Sequence, residues 1–130
     1  MSEMNVDPTR EDIAAFMAGD DGAPVVMLNL LRFDGEAGRE SYRRYAAAAG
    51  EFMDGVGASV VYAGDCAGPL VAPEGYLWDA ILVVRYPSRS AFIEMVKNPD
   101  YQAITHLRSE GLSAAVLQPT TAWRAPRQDA

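Results

Sequence analysis

The chain has 130 residues, 49% of them hydrophobic and 22% charged, which suits one globular domain with its own core. A formal net charge of −7 offers no basic surface to neutralise phosphates, so it argues against nucleic acid and against an anionic membrane surface as partners. One cysteine, Cys66, rules out an intramolecular disulfide or a thiolate metal cluster; with no span-length apolar run and no signal-peptide core, a cytoplasmic protein is expected.

Residues 1–23 read as a helical extension, 24–123 as the main domain and 124–130 as a mobile tail. Asp7-Pro8-Thr9 forms a helix entry with Asp7 or Thr9 as cap, and Ile13, Phe16 and Met17 follow at helical spacing. Pro24 opens VVMLNLLRF, a strand predicted over Val25–Phe33. Alternation places Met27, Asn29 and Leu31 on one face and Val26, Leu28 and Leu30 on the other. Asp34 to Gly38 reads as a turn and loop. A helix follows from about Arg39 to Asp54, with Tyr42, Tyr45, Ala46, Ala49, Phe52 and Met53 on its inner side.

A second strand is predicted over Ala58–Ala63, then a loop from Gly64 to Gly75 with at most a short extended piece at Leu70-Val71. Trp78 to Tyr86 carries an unbroken apolar run and reads as a strand covered on both faces, closed by Pro87. Ser88 or Ser90 caps the next helix, which Asn98-Pro99 interrupts; helix resumes through Tyr101, Ile104 and Leu107 and stops at Gly111. Leu112 to Leu117 is the last strand, and Thr120 to Trp123 either extends it or folds back over the edge.

After the first helix the order is β-α-β-β-α-β, the ferredoxin-like arrangement of an α+β protein with a four-stranded antiparallel sheet. The first and third strands, the most apolar, are expected side by side and parallel at its centre. Helices cover one face of such a sheet, and the apolar character of the other calls for a facing sheet. A symmetric homodimer supplies it.

Candidate site residues follow from chemistry. Asn29 puts a carboxamide in a central apolar strand, where it needs a structural hydrogen bond or a ligand. Trp78 could form an aromatic wall. Asp79, near the start of the neighbouring strand, is either a base with its pKa raised by apolar surroundings or the partner of Arg32 or Arg85 in a salt bridge. Those arginines could instead clamp an anionic substrate. Tyr42 and Tyr45, three apart on one helix, either reach a cleft or pack in the core. His106 is the sole near-neutral acid–base group, so it is either a proton carrier or an ordinary surface or core residue. Among the missing signals are a nucleotide-binding glycine loop, a nucleophile elbow and a multi-histidine or paired-thiolate zinc site; no metal or other cofactor is expected.

PVVMLNLLRF, YRRYAAAAG and the strand-PSRSAF-helix-NPDYQAI segment together resemble the domain-of-unknown-function 1330 family, within the dimeric α/β-barrel superfamily. The resemblance spans roughly residues 24–123. It implies a ferredoxin-like fold dimerised into a barrel, with a cleft between sheet and helices in each protomer. Similar superfamilies include antibiotic-biosynthesis and haem-degrading monooxygenases, muconolactone isomerases and stress-responsive barrel proteins. In cofactor-free monooxygenases of this superfamily an asparagine, a tryptophan and a tyrosine or histidine can line the cavity, which by residue type alone matches Asn29, Trp78 and Tyr45 or His106. Two functions remain: a cofactor-independent, monooxygenase-like or isomerase-like enzyme acting on a small apolar or aromatic molecule, and a non-catalytic ligand-binding or structural homodimer.

Overall fold

A computed structural model describes residues 6–123. Residues 1–5 and the tail 124–130, the latter expected to be mobile, lie outside the described residues. Helix α1 (Arg10–Ala18) starts from Thr9, whose hydroxyl accepts the Asp12 N–H while the Asp12 carboxylate accepts the Thr9 N–H, a reciprocal capping box. Of the two candidate caps, Thr9 is the one used. Strand β1 spans Val25–Phe33, helix α2 Gly35–Gly55, strand β2 Ser59–Asp65 and strand β3 Ala80–Tyr86. Helix α3 (Arg89–Lys97) is capped by Ser88, whose hydroxyl accepts the Ala91 N–H. Helix α4 (Pro99–Gln102), helix α5 (Thr105–Gly111) and strand β4 (Leu112–Thr120) complete the chain.

The strands lie in the order β2-β3-β1-β4, and every neighbouring pair is antiparallel. This corrects the expectation that β1 and β3 run parallel. The crossover through α2 brings β2 back in the direction of β1, and the reversal between β2 and β3 then turns β3 against both. The protein is thus an α+β chain with one four-stranded antiparallel sheet.

Two boundaries differ for a physical reason. Helix α2 begins at Gly35, four residues before the predicted start, because Gly38 is not loop punctuation. It is buried against Gly111 of α5, where a Cβ on either glycine would come within 2.7 Å of the other's carbonyl oxygen. The segment after Asn98-Pro99 forms two short helices instead of one; Asn98 caps the first through the Asp100 N–H, and Ile104 ends up as the N-cap residue of α5. Strand β2 runs on to Asp65 past an irregularity between Val60 and Tyr62, and β4 runs on to Thr120. Trp123 is fully exposed, so it does not fold back. Leu70 and Val71 form no strand and stand 99% and 91% exposed.

Alternation along β1 is as read from the sequence. Val25, Met27, Asn29 and Leu31 are buried beneath the helices, whereas Val26, Leu28 and Leu30 lie half-buried on the opposite face with Ile81 and Val83 of β3. No helix among the described residues is long and apolar enough to cross a membrane.

Candidate functional site

Between the sheet and the helices lies a cavity of about 440 Å³. Its floor is the buried row of β1 and β3, where Asn29 stands opposite Leu82. Asn29 is buried, at 7% exposure, and its Nδ2 donates to the Leu82 carbonyl oxygen at 3.2 Å. Since that partner is an acceptor, the nitrogen end of the amide must face it. One amide hydrogen satisfies Leu82. The second hydrogen and Oδ1 have no protein partner among the described residues, so Asn29 offers both a donor and an acceptor to the cavity.

The walls are phenolic. Tyr42 and Tyr45 of α2, Tyr86 at the end of β3 and Tyr101 of α4 all border the cavity. Tyr42 and Tyr45 do share a side of their helix, with ring centroids 5.4 Å apart. The hydroxyls of Tyr45 and Tyr101 meet at 2.6 Å. When one phenol donates to the other, the accepting phenol keeps its own proton to give elsewhere. Burial raises the pKa of all four phenols, that of Tyr42 to about 12, so each is a proton donor at neutral pH.

Arg108 completes the wall. The side chain sits buried on α5, and α5 is held against α2 by the Gly38–Gly111 contact, by Ser41 Oγ donating to the Leu107 carbonyl at 2.8 Å, and by the Asp34 N–H donating to the Gly111 carbonyl at 2.9 Å. Nη1 donates to the Val6 carbonyl and to the Asp7 carboxylate, the latter at 2.9 Å. Nη2 is buried without a hydrogen-bond partner among the described residues. The positive charge favours ionisation of all four cavity phenols, opposing the effect of their burial.

The predicted residues therefore separate. Asn29, Tyr42 and Tyr45 come together in this cavity. Arg32, Trp78 and Asp79 line a different groove, of about 600 Å³, on the opposite side of the sheet. There Arg32 donates from Nε and Nη2 to the Leu77 carbonyl, at 2.8 and 2.5 Å, with its guanidinium 5.1 Å from the Trp78 ring centroid. Asp79 accepts the Phe33 N–H at 2.9 Å, while its own N–H donates to the Leu31 carbonyl and its carbonyl accepts the Cys66 N–H, both at 2.8 Å. It thus extends the strand pairing, in place of the expected ion pair with Arg32 or Arg85. Arg85 lies on the open face, opposite Val26, and His106 is exposed on α5.

Reasoning from the sequence missed Arg108, Tyr86 and Tyr101. The signal for Arg108 was present. Ile104, Arg108 and Gly111 recur at helical spacing, which puts a cation on the inward stripe, while His106 falls on the far side of the same helix.

A buried amide, a ring of protonated phenols and a partly unsatisfied guanidinium around one cavity define a ferredoxin-like protein with a small-molecule-sized, donor-rich pocket. The chain belongs to the family described as Domain of unknown function (DUF1330), whose model matches residues 37–118. A protein of unknown function from Rhodopseudomonas palustris is 30% identical, with a TM-score of 0.87 over 93% of this chain and 98% of its own. Two more distant structures share the fold. One is a dimeric ferredoxin-like protein of unknown function from Thermobifida fusca, 15% identical, with a TM-score of 0.55 over 78% of this chain and 93% of that one. The other is SnoaB, a cofactor-independent oxygenase from Streptomyces nogalater, 13% identical, with a TM-score of 0.55 over 79% and 96%. No curated protein matches the chain.

Proposed function

We propose that the protein binds a small, apolar or aromatic molecule in the cavity between sheet and helices and acts on it without a cofactor, as a monooxygenase-like or isomerase-like enzyme. One observation carries this reading: the cavity reaches the buried Asn29 amide, which keeps hydrogen-bonding capacity beyond its bond to Leu82. In this role Asn29 Nδ2 and the phenol of Tyr45 hold a carbonyl or enolate oxygen and stabilise the charge that develops on it. SnoaB lends the reading a precedent on the same fold, and the fold alone.

A second reading, a non-catalytic ligand-binding or structural homodimer, is favoured by one feature. The two ordinary proton carriers, Asp79 and His106, lie away from the cavity, and the carboxylates bordering it belong to the exposed residues Asp7 and Asp54. Both readings include a homodimer formed through the open sheet face, where Val26, Leu28, Leu30, Ile81 and Val83 present an apolar surface that a second copy would cover.

The test is a thermal-shift screen of wild type and Asn29→Ala against phenols, quinones, lactones and small acids, with light scattering on the same samples. A ligand at 100 times its dissociation constant adds about 2.7 kcal/mol of stability. Shifts in wild type that vanish in the variant support a site at Asn29, and turnover of those ligands then decides between the two readings. If no compound shifts wild type, the enzyme reading fails. A monomer by light scattering rejects the homodimer.

A further inference from the structure

The polar groups around the cavity are unequally matched. Asn29 keeps one amide hydrogen, Tyr42 and Tyr86 have hydroxyls with no hydrogen-bond partner among the described residues, and the Tyr45–Tyr101 pair keeps one proton to give. Arg108 adds Nη2, buried and unpartnered. Asn29 Oδ1 and the phenol oxygens can accept, but each of these buried side chains also has a proton to give and Arg108 can only donate, so a ligand that carries acceptors satisfies the most of them. Much of the rest of the wall is apolar, including Met27, Ala49, Val84, Phe92 and Met95; its other polar members are Asp7, the exposed Asp54 and Ser59, and the half-buried Thr105.

The charge balance points the same way. A buried guanidinium without enough acceptors is costly, and it is relieved by an anion more than by a neutral group. Asp7 supplies one carboxylate, but that side chain is 47% exposed and water shares its charge, whereas Arg108 is 8% exposed. The ion pair occupies Nη1 and leaves Nη2 without an acceptor.

We infer that Arg108 is the anion-recognition residue of this cavity, and that the ligand is a carboxylate carried on a compact apolar or aromatic body. Its carboxylate takes Nη2 of Arg108 together with cavity phenols, and its body lies over the buried face of β1 and β3. This deepens the cavity reading above and depends on it.

The experiment is isothermal titration of the full chain at neutral pH with benzoate, phenylacetate and cinnamate, each set against its primary amide, an isostere without the charge. The expected result is at least about tenfold tighter binding of the acid than of the amide, a ratio that collapses toward one in Arg108→Met. Equal binding of acid and amide by wild type overturns the anion assignment and leaves the cavity as a ligand site; so does an acid preference that survives in Arg108→Met. No binding of either at millimolar concentration overturns both. Because Arg108→Met removes a buried side chain together with its ion pair and could fail to fold, Asp7→Asn provides an independent arm. That exposed substitution keeps an acceptor for Nη1 while removing the competing charge, so acid affinity should rise about threefold or more with amide affinity unchanged. An acid affinity that stays level or falls in Asp7→Asn overturns the proposal.

Discussion

Replacing Gly111 by alanine sets two effects of opposite sign against each other. Gly111 closes α5 at a backbone angle open to alanine, so helix propensity alone predicts a gain of about 1 kcal/mol. The new Cβ, however, would stand 2.7 Å from the Gly38 carbonyl oxygen, 3.0 Å from the Tyr42 nitrogen and 3.2 Å from Tyr42 Cβ. The two nearest atoms are backbone, and neither can swing aside. Relief requires α2 and α5 to separate by several tenths of an ångström, and overpacking of this kind costs about 1–3 kcal/mol. Because the 2.7 Å contact is with backbone, the cost falls in the upper part of that range, about 2–3 kcal/mol, for a net loss of about 1–2 kcal/mol, or a melting temperature lower by roughly 3–10 °C in a domain of this size. The shift also displaces Arg108 relative to Tyr42, so ligand affinity should fall as well. Gly50→Ala is the control, since a Cβ there meets nothing within 4 Å and the substitution should stabilise by about 0.5–1 kcal/mol. Thermal unfolding followed by circular dichroism reads both. A Gly111→Ala protein as stable as wild type, or more so, would refute the claim that the two glycines set the helix spacing.

Alkaline pH should unfold the protein through its buried phenols. Between pH 10 and about 12 the unfolded chain has released the Tyr42 proton while the folded chain keeps it, so stability falls as pH rises, by about 1.4 kcal/mol per pH unit for that group. Tyr45, Tyr86 and Tyr101 are raised in the same sense and steepen the fall; urea midpoints measured from pH 8 to 11.5 check this, and a level profile above pH 10 contradicts it. Asp79→Ala strips the Phe33 N–H of its acceptor and should cost about 1–3 kcal/mol while leaving cavity-ligand affinity unchanged; a loss of affinity without destabilisation would return Asp79 to the functional site. Tyr45→Phe breaks the phenol pair and should cost about 1 kcal/mol in a urea titration, with an unchanged midpoint arguing that the 2.6 Å contact contributes nothing.

Periodicity alone established much of this protein. The two apolar runs gave β1 and β3, the turn chemistry at Pro87-Ser88 and Asn98-Pro99 gave helix entries, and the element order gave the ferredoxin-like sheet, because such signals are local and recur within a few residues. The direction of β3 against β1 was decided by the whole path of the chain through α2 and the β2–β3 reversal. The site divided along the same line. Asn29 was legible, since a carboxamide in an apolar strand stands out in one dimension. That it shares a cavity with Tyr42, Tyr45, Tyr86, Tyr101 and Arg108 was decided by α5 docking on α2 through two glycines 73 positions apart by their numbers, 38 and 111. Asp79 shows the converse: beside an apolar strand it reads as a candidate base, and only the fold reveals that its carboxylate is taken by the Phe33 N–H. Sequence spacing fixes which face of an element a side chain occupies; only tertiary packing fixes what it meets there.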